Sequence, residues 1–491
     1  MAGMELTAAE AAAAVGGRLV AGDPDARLCG VTIDSRRVPP GALFVPLPGS
    51  RADGHEFIAA AVASGAAGCL TSRREAARGG KVAGATAVAI EVDSTLGALQ
   101  SLAAAWRRRL HATVIGVAGS NGKTTTKEVL ASVLRSRVRT FATPGNENSQ
   151  IGAPLTILAT PLDAEALVLE VGTSAPGELA RLAALARPDL AVITAAAAEH
   201  LEWLGDIAGV IAAETEILDA LPAGAPAFVA ATPPELGQAA RHRAALRIRT
   251  VGRSPDSDHR LTSVRMQRDG TSFELGRGMP GPACVPGDRT DAAARVGAAE
   301  RTRFHLPLLG EPAAQAAAFA VAIARELGLD DSAIQEGLDA ARPAAHRLSA
   351  LPHATLPLFI LDDCYNANPA SCLAAIDTAV SLAAPGDRLI LVLGDMLELG
   401  AATGAAHREV GEAIHAHAPG TSLLITVGAA ARGIAEAARS DAVPVRELAD
   451  AGAAGDLLAE LVADRKPTTL LVKASRGVAL ERAIARLQAI P

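Results

Sequence analysis

A glycine-rich turn that follows an apolar run constrains the fold of this chain more than any other feature. Residues 116–126 read Gly-Val-Ala-Gly-Ser-Asn-Gly-Lys-Thr-Thr-Thr, and the apolar run begins at residue 113. Backbone N–H groups in such a turn can wrap a triphosphate at a helix N-terminus, while the lysine reaches the outer phosphates and a hydroxyl reaches Mg2+. We therefore predict a helix that continues through Arg135 and a phosphate-binding loop with nucleotide contacts from Gly119, Ser120, Asn121, Gly122, Lys123, Thr124 and Thr125.

The loop is a variant of the strict phosphate-loop pattern, which requires a glycine where this chain has Val117. Its glycines are instead spaced by three. The segment Asn-Lys-x-Asp, which would read guanine, does not occur in the sequence, so we predict ATP rather than GTP. The alternative interpretation is a glycine-rich turn before a helix, without a ligand.

Length and composition indicate several packed domains. At 491 residues the chain has room for three domains of roughly 150 residues each. Hydrophobic residues make up 49% of the chain and aromatic residues only 2%, so the cores must consist largely of Ala, Leu, Val and Ile. The net charge of -7 argues against a nucleic acid or an anionic membrane as a partner and is compatible with small anionic ligands.

The cysteines and the apolar stretches bear on cellular location. Five scattered cysteines without a Cys-x-x-Cys pair indicate reduced thiols rather than a disulfide framework or a zinc site. Residues 1–17 lack the basic segment of a signal peptide, and no apolar stretch reaches the ~20 residues needed to span a bilayer. We expect a cytoplasmic monomer that binds no nucleic acid and does not span a membrane.

The chain divides into three segments of different patterning. Residues 1–110 contain short strand-like pieces at 43–45 and 87–91 and a closing helix near 96–110. Residues 111–344 alternate between strands and helices, which predicts a mostly parallel sheet with crossover helices. Buried-looking strands are expected there at 166–170 and 190–194. We expect an N-terminal α/β domain followed by a central ATPase-like domain built around the phosphate loop.

The last segment, residues 345–491, repeats the alternation on a smaller scale. Apolar strands at 359–362, 389–393, 423–427 and 469–473 predict a Rossmann-like, doubly wound C-terminal domain. The polar, glycine- and proline-rich stretch at 250–306 interrupts the central alternation, and there we predict antiparallel strands with a loop at 276–286.

A carboxylate and an imidazole follow two strands of the predicted central sheet. Glu170 ends one strand, and His200 comes six residues after the end of another. Open α/β sheets gather their ligands at the carboxyl ends of the strands, so both side chains should lie behind the phosphate loop. Such a pair suits a divalent metal near the γ-phosphate, although a lone histidine is more often structural. The predicted metal ligands are Thr124, Glu170 and His200.

Motifs across the chain carry a family resemblance. The central ones are 119–125 (Gly-Ser-Asn-Gly-Lys-Thr-Thr), 146–148 (Asn-Glu-Asn), 170–172 with 176–178, and 199–202 (Glu-His-Leu-Glu). Together they resemble the Mur ligases, which are ATP-dependent, amide-forming enzymes of cell-wall (peptidoglycan) precursor synthesis.

Motifs in the first and last segments of the chain resemble one member of this family in particular. Residues 362–369 (Asp-Asp-Cys-Tyr-Asn-Ala-Asn-Pro), 393–400 and 473–477 are similar to the member that joins D-alanyl-D-alanine to UDP-N-acetylmuramoyl-tripeptide. Residues 34–36 and 53–57 also resemble that member, whose first domain holds the UDP end. The Asp-Asn-Pro-Arg motif of the sibling that adds the third amino acid is absent.

The chemistry that the resemblance implies has a plain physical basis. A carboxylate forms an amide only after its oxygen becomes a better leaving group, and phosphoryl transfer from ATP supplies one as an acyl phosphate. An amine then attacks, and phosphate leaves. Because the carboxylate and the triphosphate are both anionic, Mg2+ and Lys123 must neutralise the charge between them.

The resemblance also implies roles for residues in all three segments. Implied catalytic residues are Lys123, Glu170, His200 and Arg347, of which Arg347 closes on the phosphates. Asp363 and Asn366 are implied to reach the nucleotide. Implied substrate contacts are Ser35, Arg36, His55, Asn146, Asn148, Asn368, Lys473 and Arg476. The alternative for residues 366–369 is an ordinary Asn-Pro helix start.

Departures from the family pattern concern the metal and the adenosine. The family's carbamylated lysine corresponds to Glu214, and no lysine occurs between Lys127 and Lys466. We predict that Glu214 is catalytic and supplies the negative charge directly. The nucleotide motif of the family aligns with residues 310–316, where Pro312, Ala313 and Ala316 replace its polar side chains, and Ala195 and Ser149 replace two asparagines.

Two further hypotheses stay open on the sequence alone. A ligase-derived nucleotide-binding scaffold with little turnover would fit the lost adenosine contacts. A related ligase such as folylpolyglutamate synthase would fit the phosphate loop but not the segment 53–57 or the C-terminal motifs.

Overall fold

The computed structural model describes residues 3–49, 52–72, 87–276, 301–439 and 443–490. These residues form an α/β fold with one large sheet in each of three regions, which confirms the predicted class. Residues 277–286 of the predicted loop lie outside the described residues. In the part of the chain that the structure describes, no helix is both long and apolar enough to cross a membrane.

The N-terminal region has a five-stranded sheet in the order β2-β7-β6-β5-β4 and a small antiparallel pair, β1 with β3. Strands β4 to β7 run parallel, and β2 pairs antiparallel with β7. The closing helix ends three residues before its predicted end. The elements are β1 (Glu5–Thr7), α1 (Ala8–Val15), β2 (Arg18–Ala21), β3 (Arg27–Cys29), β4 (Val31–Thr32), β5 (Leu43–Phe44), a 3-10 helix (Gly54–Phe57), α2 (Ile58–Ala63), β6 (Gly68–Thr71), β7 (Val88–Glu91) and α3 (Thr95–Arg107).

The central region is built on a nine-stranded sheet in the order β16-β15-β14-β13-β12-β11-β8-β10-β9. Strands β8 to β13 are parallel, and the apolar runs of β8, β10, β11 and β12 are buried on both faces. The elements are β8 (Thr113–Ala118), α4 (Lys123–Arg135), β9 (Thr140–Ala142), α5 (Gly152–Ala159), β10 (Ala166–Glu170), α6 (Glu178–Ala186), β11 (Leu190–Ile193), α7 (Leu201–Leu204), α8 (Ile207–Thr215), a 3-10 helix (Glu216–Ala220), β12 (Pro226–Ala230), α9 (Pro234–Arg241), β13 (Arg247–Gly252), β14 (His259–Gln267), β15 (Gly270–Gly276), β16 (Arg301–Leu306), α10 (Glu311–Glu326) and α11 (Asp331–Asp339).

Strands β14 to β16 form the antiparallel edge that the polar stretch at 250–306 predicts. Helix α10 is buried without a break from Ala316 to Ala324, as expected of a helix inside a core. It packs against α4, and its many alanines allow this close approach. The core is therefore filled by small aliphatic side chains, as the scarcity of aromatic residues predicts.

The C-terminal region has a six-stranded sheet in the order β17-β18-β22-β19-β20-β21, parallel except for β17. Alternate residues of β19 enter two separate cores: Leu389, Leu391 and Leu393 pack on one face, and Ile390 and Val392 on the other. Helices therefore cover both faces, which confirms the doubly wound prediction. The elements are β17 (Ser349–Pro352), β18 (Leu358–Asp363), α12 (Pro369–Leu382), β19 (Arg388–Gly394), a 3-10 helix (Gly400–Ala402), α13 (Thr403–His417), β20 (Thr421–Val427), α14 (Arg432–Ala438), β21 (Val445–Leu448), α15 (Ala451–Val462), β22 (Thr468–Lys473), a 3-10 helix (Arg476–Val478) and α16 (Glu481–Gln488).

Arg268, in the turn between β14 and β15, anchors the C-terminal region to the central one. Its Nε donates to the carbonyl of Leu382 at 3.2 Å, and its Nη2 donates to Asp387 Oδ2 at 2.5 Å and to Thr469 Oγ1 at 3.1 Å. The guanidinium also lies 4.7 Å from the centroid of the Phe359 ring. One side chain thus contacts the ends of α12 and of three strands.

Candidate active site

The phosphate loop connects β8 to α4, and two of its glycines have positive φ. Gly119 has φ of 123°, and a Cβ there would lie 2.4 Å from Thr194 Oγ1. Gly122 has φ of 81° and immediately precedes the helix. Both positions favour glycine because of their positive φ, and at Gly119 a side chain would also clash with Thr194.

The carboxyl end of β11 braces the loop from one side. The N–H of Ser120 donates to the carbonyl of Ala195 at 3.0 Å, and Ser120 Oγ accepts from the N–H of Ala197 at 2.7 Å. Thr194 Oγ1 donates to the carbonyl of Asn121 at 2.6 Å. Position 195 therefore contributes through its backbone, which an alanine provides as well as an asparagine.

Lys123 folds back over the loop. Its Nζ donates to the carbonyl of Gly119 and lies 3.6 Å from Glu199 Oε1. Burial favours the neutral amine, but the surrounding carboxylates, above all Glu199 and Glu214, outweigh it and raise the pKa of Lys123 above its usual value. The loop therefore presents a permanent cation at neutral pH.

Glu170 has one saturated and one free carboxylate oxygen. Its Oε1 accepts from Thr124 Oγ1 at 3.1 Å and from Asn148 Nδ2 at 2.8 Å. Its Oε2 is buried without a hydrogen-bond partner, and the residue is only 1% exposed. A buried, unsatisfied carboxylate oxygen beside a hydroxyl suits a hard cation such as Mg2+.

His200 lies across the cleft mouth from the C-terminal region. It has φ of 49°, and its Nδ1 lies 3.4 Å from Glu398 Oε2. Burial raises the pKa of the neighbouring Glu199 carboxyl despite the attraction of Lys123. Among the described residues, no three or more His, Cys, Asp or Glu side chains gather into a metal site. Glu170 and His200 share the cleft without forming such a cluster.

Glu214 lies beneath the phosphate loop and does not line the cleft. Its Oε2 accepts from the N–H of Gly119 at 2.7 Å, and the residue is almost completely buried. Helix α8 ends at Thr215, so it directs this side chain at the loop backbone. Burial raises the pKa of Glu214 to about 7, although Lys123 opposes the shift.

The C-terminal region supplies the opposite wall through the carboxyl ends of β18 and β22. Lys473 Nζ lies 2.6 Å from Asp363 Oδ2 and donates to the carbonyl of Asn366 at 2.9 Å. Asp363 Oδ1 accepts from the N–H of Leu348 at 3.1 Å. All three predicted residues, Asp363, Asn366 and Lys473, line the cleft.

Asn368 begins a helix and contacts the phosphate loop, while its contact with a substrate stays a prediction. It is the N-cap of α12, where its Oδ1 accepts from the N–H of Ser371 at 2.9 Å, as an Asn-Pro helix start requires. Its Nδ2 also donates to Asn121 Oδ1 at 2.9 Å, which joins the C-terminal region to the phosphate loop.

Arg347 enters the cleft from the connection between the two regions. The residues on either side of it, His346 and Leu348, have φ of 59° and 48°. The guanidinium lies 4.0 Å from the centroid of the Tyr365 ring, and its Nε is buried without a hydrogen-bond partner. Left-handed conformations in non-glycine residues are strained and cluster at functional sites.

These walls enclose a cleft of about 550 Å³. One end carries the phosphate loop, Asn146, Asn148 and Glu170, and the other is lined by apolar residues that include Leu308, Leu309, Pro312 and Ala313. The polar side chains of residues 310–316 turn away from the apolar end. Glu311 pairs with Arg253 at 2.8 Å, and Gln315 donates to the carbonyl of Val251 at 3.0 Å.

Four predicted substrate residues do not line this cleft. Ser35 and Arg36 lie in the N-terminal region, where Arg36 is exposed and pairs with Asp34 at 2.8 Å. His55 is buried, its Nδ1 lies 2.6 Å from Asp53, and its Nε2 accepts from the N–H of Ser72 at 3.1 Å. Arg476 is exposed at the end of β22.

Three residues of the site went unassigned in the sequence. Glu199 belongs to the 199–202 motif and lines the cleft, so its place in that motif was the available signal. Glu398 likewise belongs to the 393–400 motif, although its approach to His200 depends on tertiary packing. Lys127 gave no such signal, because its burial depends on tertiary packing.

The fold and the cleft define an α/β enzyme of the phosphate-loop class, in which the loop faces a second domain across a ligand-sized cavity. Family models match three parts of the chain: Mur ligase family, catalytic domain, at residues 27–107; Mur ligase middle domain at 117–324; and Mur ligase, glutamate ligase domain, at 346–476. The chain belongs to the Mur ligase family.

Individual relatives match along nearly the whole chain. The sequence is 34% identical to UDP-N-acetylmuramoyl-tripeptide--D-alanyl-D-alanine ligase of Escherichia coli strain K12, over 94% of each chain. A crystal structure of MurF from Acinetobacter baumannii matches with a TM-score of 0.83 and 27% identity over 99% of each chain. MurF ligase from Thermotoga maritima in complex with ADP matches with a TM-score of 0.77 and 26% identity, over 94% of this chain and 97% of that one.

Proposed function

We propose that this protein joins D-alanyl-D-alanine to UDP-N-acetylmuramoyl-tripeptide in an ATP-dependent reaction of peptidoglycan precursor synthesis. The observation that carries the proposal is the cleft, where the phosphate loop and Glu170 face Asp363, Asn366 and Lys473 of the C-terminal region. Full-length similarity to ligases of that name supports the choice of substrates.

The proposed division of labour follows the three regions. Residues 1–110 hold the UDP end, residues 111–344 hold ATP and the acceptor carboxylate, and residues 345–491 close on ATP and the amino substrate. We propose that Ser35 and Arg36 contact the UDP-linked substrate. Both ring nitrogens of His55 are engaged within the protein, so its proposed contribution is to shape that site.

The proposed chemistry is transfer of the γ-phosphoryl group to the acceptor carboxylate, followed by attack of the dipeptide amine and loss of phosphate. Lys123 and Arg347 would neutralise charge on the phosphates, and Asn146 and Asn148 would orient the acceptor. Thr124 and Glu170 would hold one Mg2+ and His200 a second. The metal would screen the repulsion between the carboxylate and the triphosphate.

Location and assembly complete the proposal. We propose a cytoplasmic monomer. The four described cysteines, Cys29, Cys69, Cys364 and Cys372, are free thiols, in keeping with a reducing compartment.

The decisive experiment is phosphate release from ATP with the purified chain and UDP-N-acetylmuramoyl-tripeptide, with and without D-alanyl-D-alanine. We expect sustained release only when both substrates are present, and the ligated product by mass spectrometry. Binding of an ATP analogue without turnover would favour the scaffold hypothesis and contradict the proposal. Turnover with a folate in place of the UDP-substrate would favour the folylpolyglutamate synthase alternative.

A further inference from the structure

A buried lysine of the central region has no part in the chemistry described so far. Lys127 lies one helical turn after Lys123 on α4, and its side chain is completely buried. Burying a charge is unfavourable unless other groups compensate for it, and a methionine of similar length would fill the same space without that penalty. The role of the ammonium must therefore lie in what it contacts.

The ammonium of Lys127 joins three parts of the cleft wall. Its Nζ donates to the carbonyls of Thr143 and Gly145, each at 2.7 Å. It also lies 2.7 Å from Glu128 Oε1 and 3.9 Å from Glu170 Oε2. Helix α4, the segment after β9 and the end of β10 thus meet at one charge.

The segment at 143–148 is fastened to the end of β10 by further hydrogen bonds. Thr143 Oγ1 accepts from the N–H of Glu170 at 2.9 Å, and Asn148 Nδ2 donates to Glu170 Oε1 at 2.8 Å. The carbonyl of Asn148 accepts from the N–H of Gly172 at 2.9 Å. Lys127 closes this network from its buried side.

We propose that Lys127 is a positioning residue for the acceptor substrate, an inference that rests on the proposed ligase function. By holding the carbonyls of Thr143 and Gly145, it keeps Asn146 and Asn148 facing the cleft. It also forms an ion pair with Glu170 Oε2 at 3.9 Å, beyond hydrogen-bond distance, so this oxygen keeps its hydrogen-bonding capacity. Lys127 itself does not line the cleft.

The contacts of Lys127 predict that its loss weakens the binding of the acceptor substrate but not the binding of ATP. None of the side-chain hydrogen bonds of Lys127 goes to residues 119–125, so the phosphate loop keeps its shape without this side chain. Lys127→Met removes the donor from the buried carbonyl of Thr143 and from the partly buried carbonyl of Gly145, and the segment at 143–148 relaxes. We expect the KM for the UDP-linked acceptor to rise about tenfold or more and kcat to fall. The affinity for a non-hydrolysable ATP analogue, measured by calorimetry, should change by less than about threefold.

Two variants make the test specific. Lys466→Met removes an exposed lysine of the C-terminal region and should leave every constant unchanged. Lys127→Arg keeps the charge and the N–H donors, so it should recover part of the acceptor affinity that Lys127→Met loses. A role in packing alone would not discriminate between acceptor and nucleotide.

A folded Lys127→Met protein with the wild-type acceptor KM would overturn the proposal, as would equal losses for acceptor and ATP analogue. If circular dichroism shows that Lys127→Met does not fold, Lys127→Arg decides: a raised acceptor KM with wild-type analogue affinity supports the proposal, and any other pattern contradicts it. A wild-type protein without phosphate release would instead refute the ligase function itself.

Discussion

The two ends of the cleft owe their shape to different forces. At the phosphate end, specific hydrogen bonds fix the loop: Ser120 to Ala195, Thr194 to Asn121, and Gly119 to Glu214. At the apolar end, Leu308, Ala313 and neighbouring residues form a surface that core packing holds in place. Changing a single atom can remove a hydrogen bond, whereas a packed apolar surface tolerates small changes in its side chains. Substitutions should therefore have large effects at the first end and small effects at the second.

The largest expected effect is that of Lys123→Ala. The loop loses its long cation near the outer phosphates, and we expect phosphate release to fall by about 10³-fold or more. Circular dichroism should show an intact fold, because the hydrogen bonds of this side chain go to its own loop and its nearest carboxylate is that of Glu199. Near-wild-type turnover in a folded protein would remove the phosphate-loop interpretation.

Glu214→Gln tests whether the charge beneath the loop matters. The amide can still accept from the N–H of Gly119, but the negative charge that Glu214 carries above its pKa of about 7 is lost. We expect turnover to fall at least about tenfold, equivalent to roughly 1.4 kcal/mol of barrier, and we expect the wild-type activity to be independent of bicarbonate. Unchanged turnover and Mg2+ dependence in the variant would refute the catalytic role of Glu214.

Although its turnover is lower, Glu214→Gln should be more stable than the wild-type protein at high pH. Because the pKa of Glu214 is raised to about 7 in the folded state, the folded protein binds more protons than the unfolded chain between the ordinary pKa of 4.5 and that value. Stability from this group is therefore lost as pH rises through that window. Thermal melts at about pH 5.5 and pH 8 should show Glu214→Gln gaining relative to wild type at the higher pH. If Glu214→Gln instead gained melting temperature relative to wild type at the lower pH, the raised pKa of Glu214 would be contradicted.

Asn368 should give an intermediate effect, since it both caps α12 and contacts Asn121. Asn368→Ala removes both interactions, so we expect a loss of about 1 kcal/mol in unfolding free energy and a several-fold higher KM for ATP. Asn368→Ser can still cap the helix but is too short to reach Asn121. Asn368→Ser should therefore have the wild-type unfolding free energy but keep the raised KM for ATP. If both quantities were at the wild-type value, the contact with Asn121 would be unimportant.

The smallest effect is expected at the apolar end. Ala313→Ser adds one hydroxyl to a surface that makes only non-directional contacts, so the KM for ATP should change by less than about threefold. Steady-state kinetics with varied ATP measure this directly. A change as large as that of Asn368→Ala would mean that the two ends do not differ in the way described.

Local sequence patterns predicted the strands and the loop well. The strands at 166–170 and 389–393 and the helix from Lys123 to Arg135 lie within about one residue of their predicted bounds, because apolar periodicity and glycine spacing are local signals. The contacts that complete the site are not local. No pattern near Glu214 shows that it points at Gly119, and the approach of His200 to Glu398 depends on how two domains pack.

Helix α12 connects Arg268, which lies outside the cleft, to the phosphate loop. The N-cap of this helix touches the phosphate loop, and the carbonyl of its last residue is held by Arg268. With 14 residues the helix is about 21 Å long. The helix therefore connects the phosphate loop to the β14–β15 turn, which lies outside the cleft. A change in that turn would shift the position of Asn368 relative to the phosphate loop without altering any residue that lines the cleft.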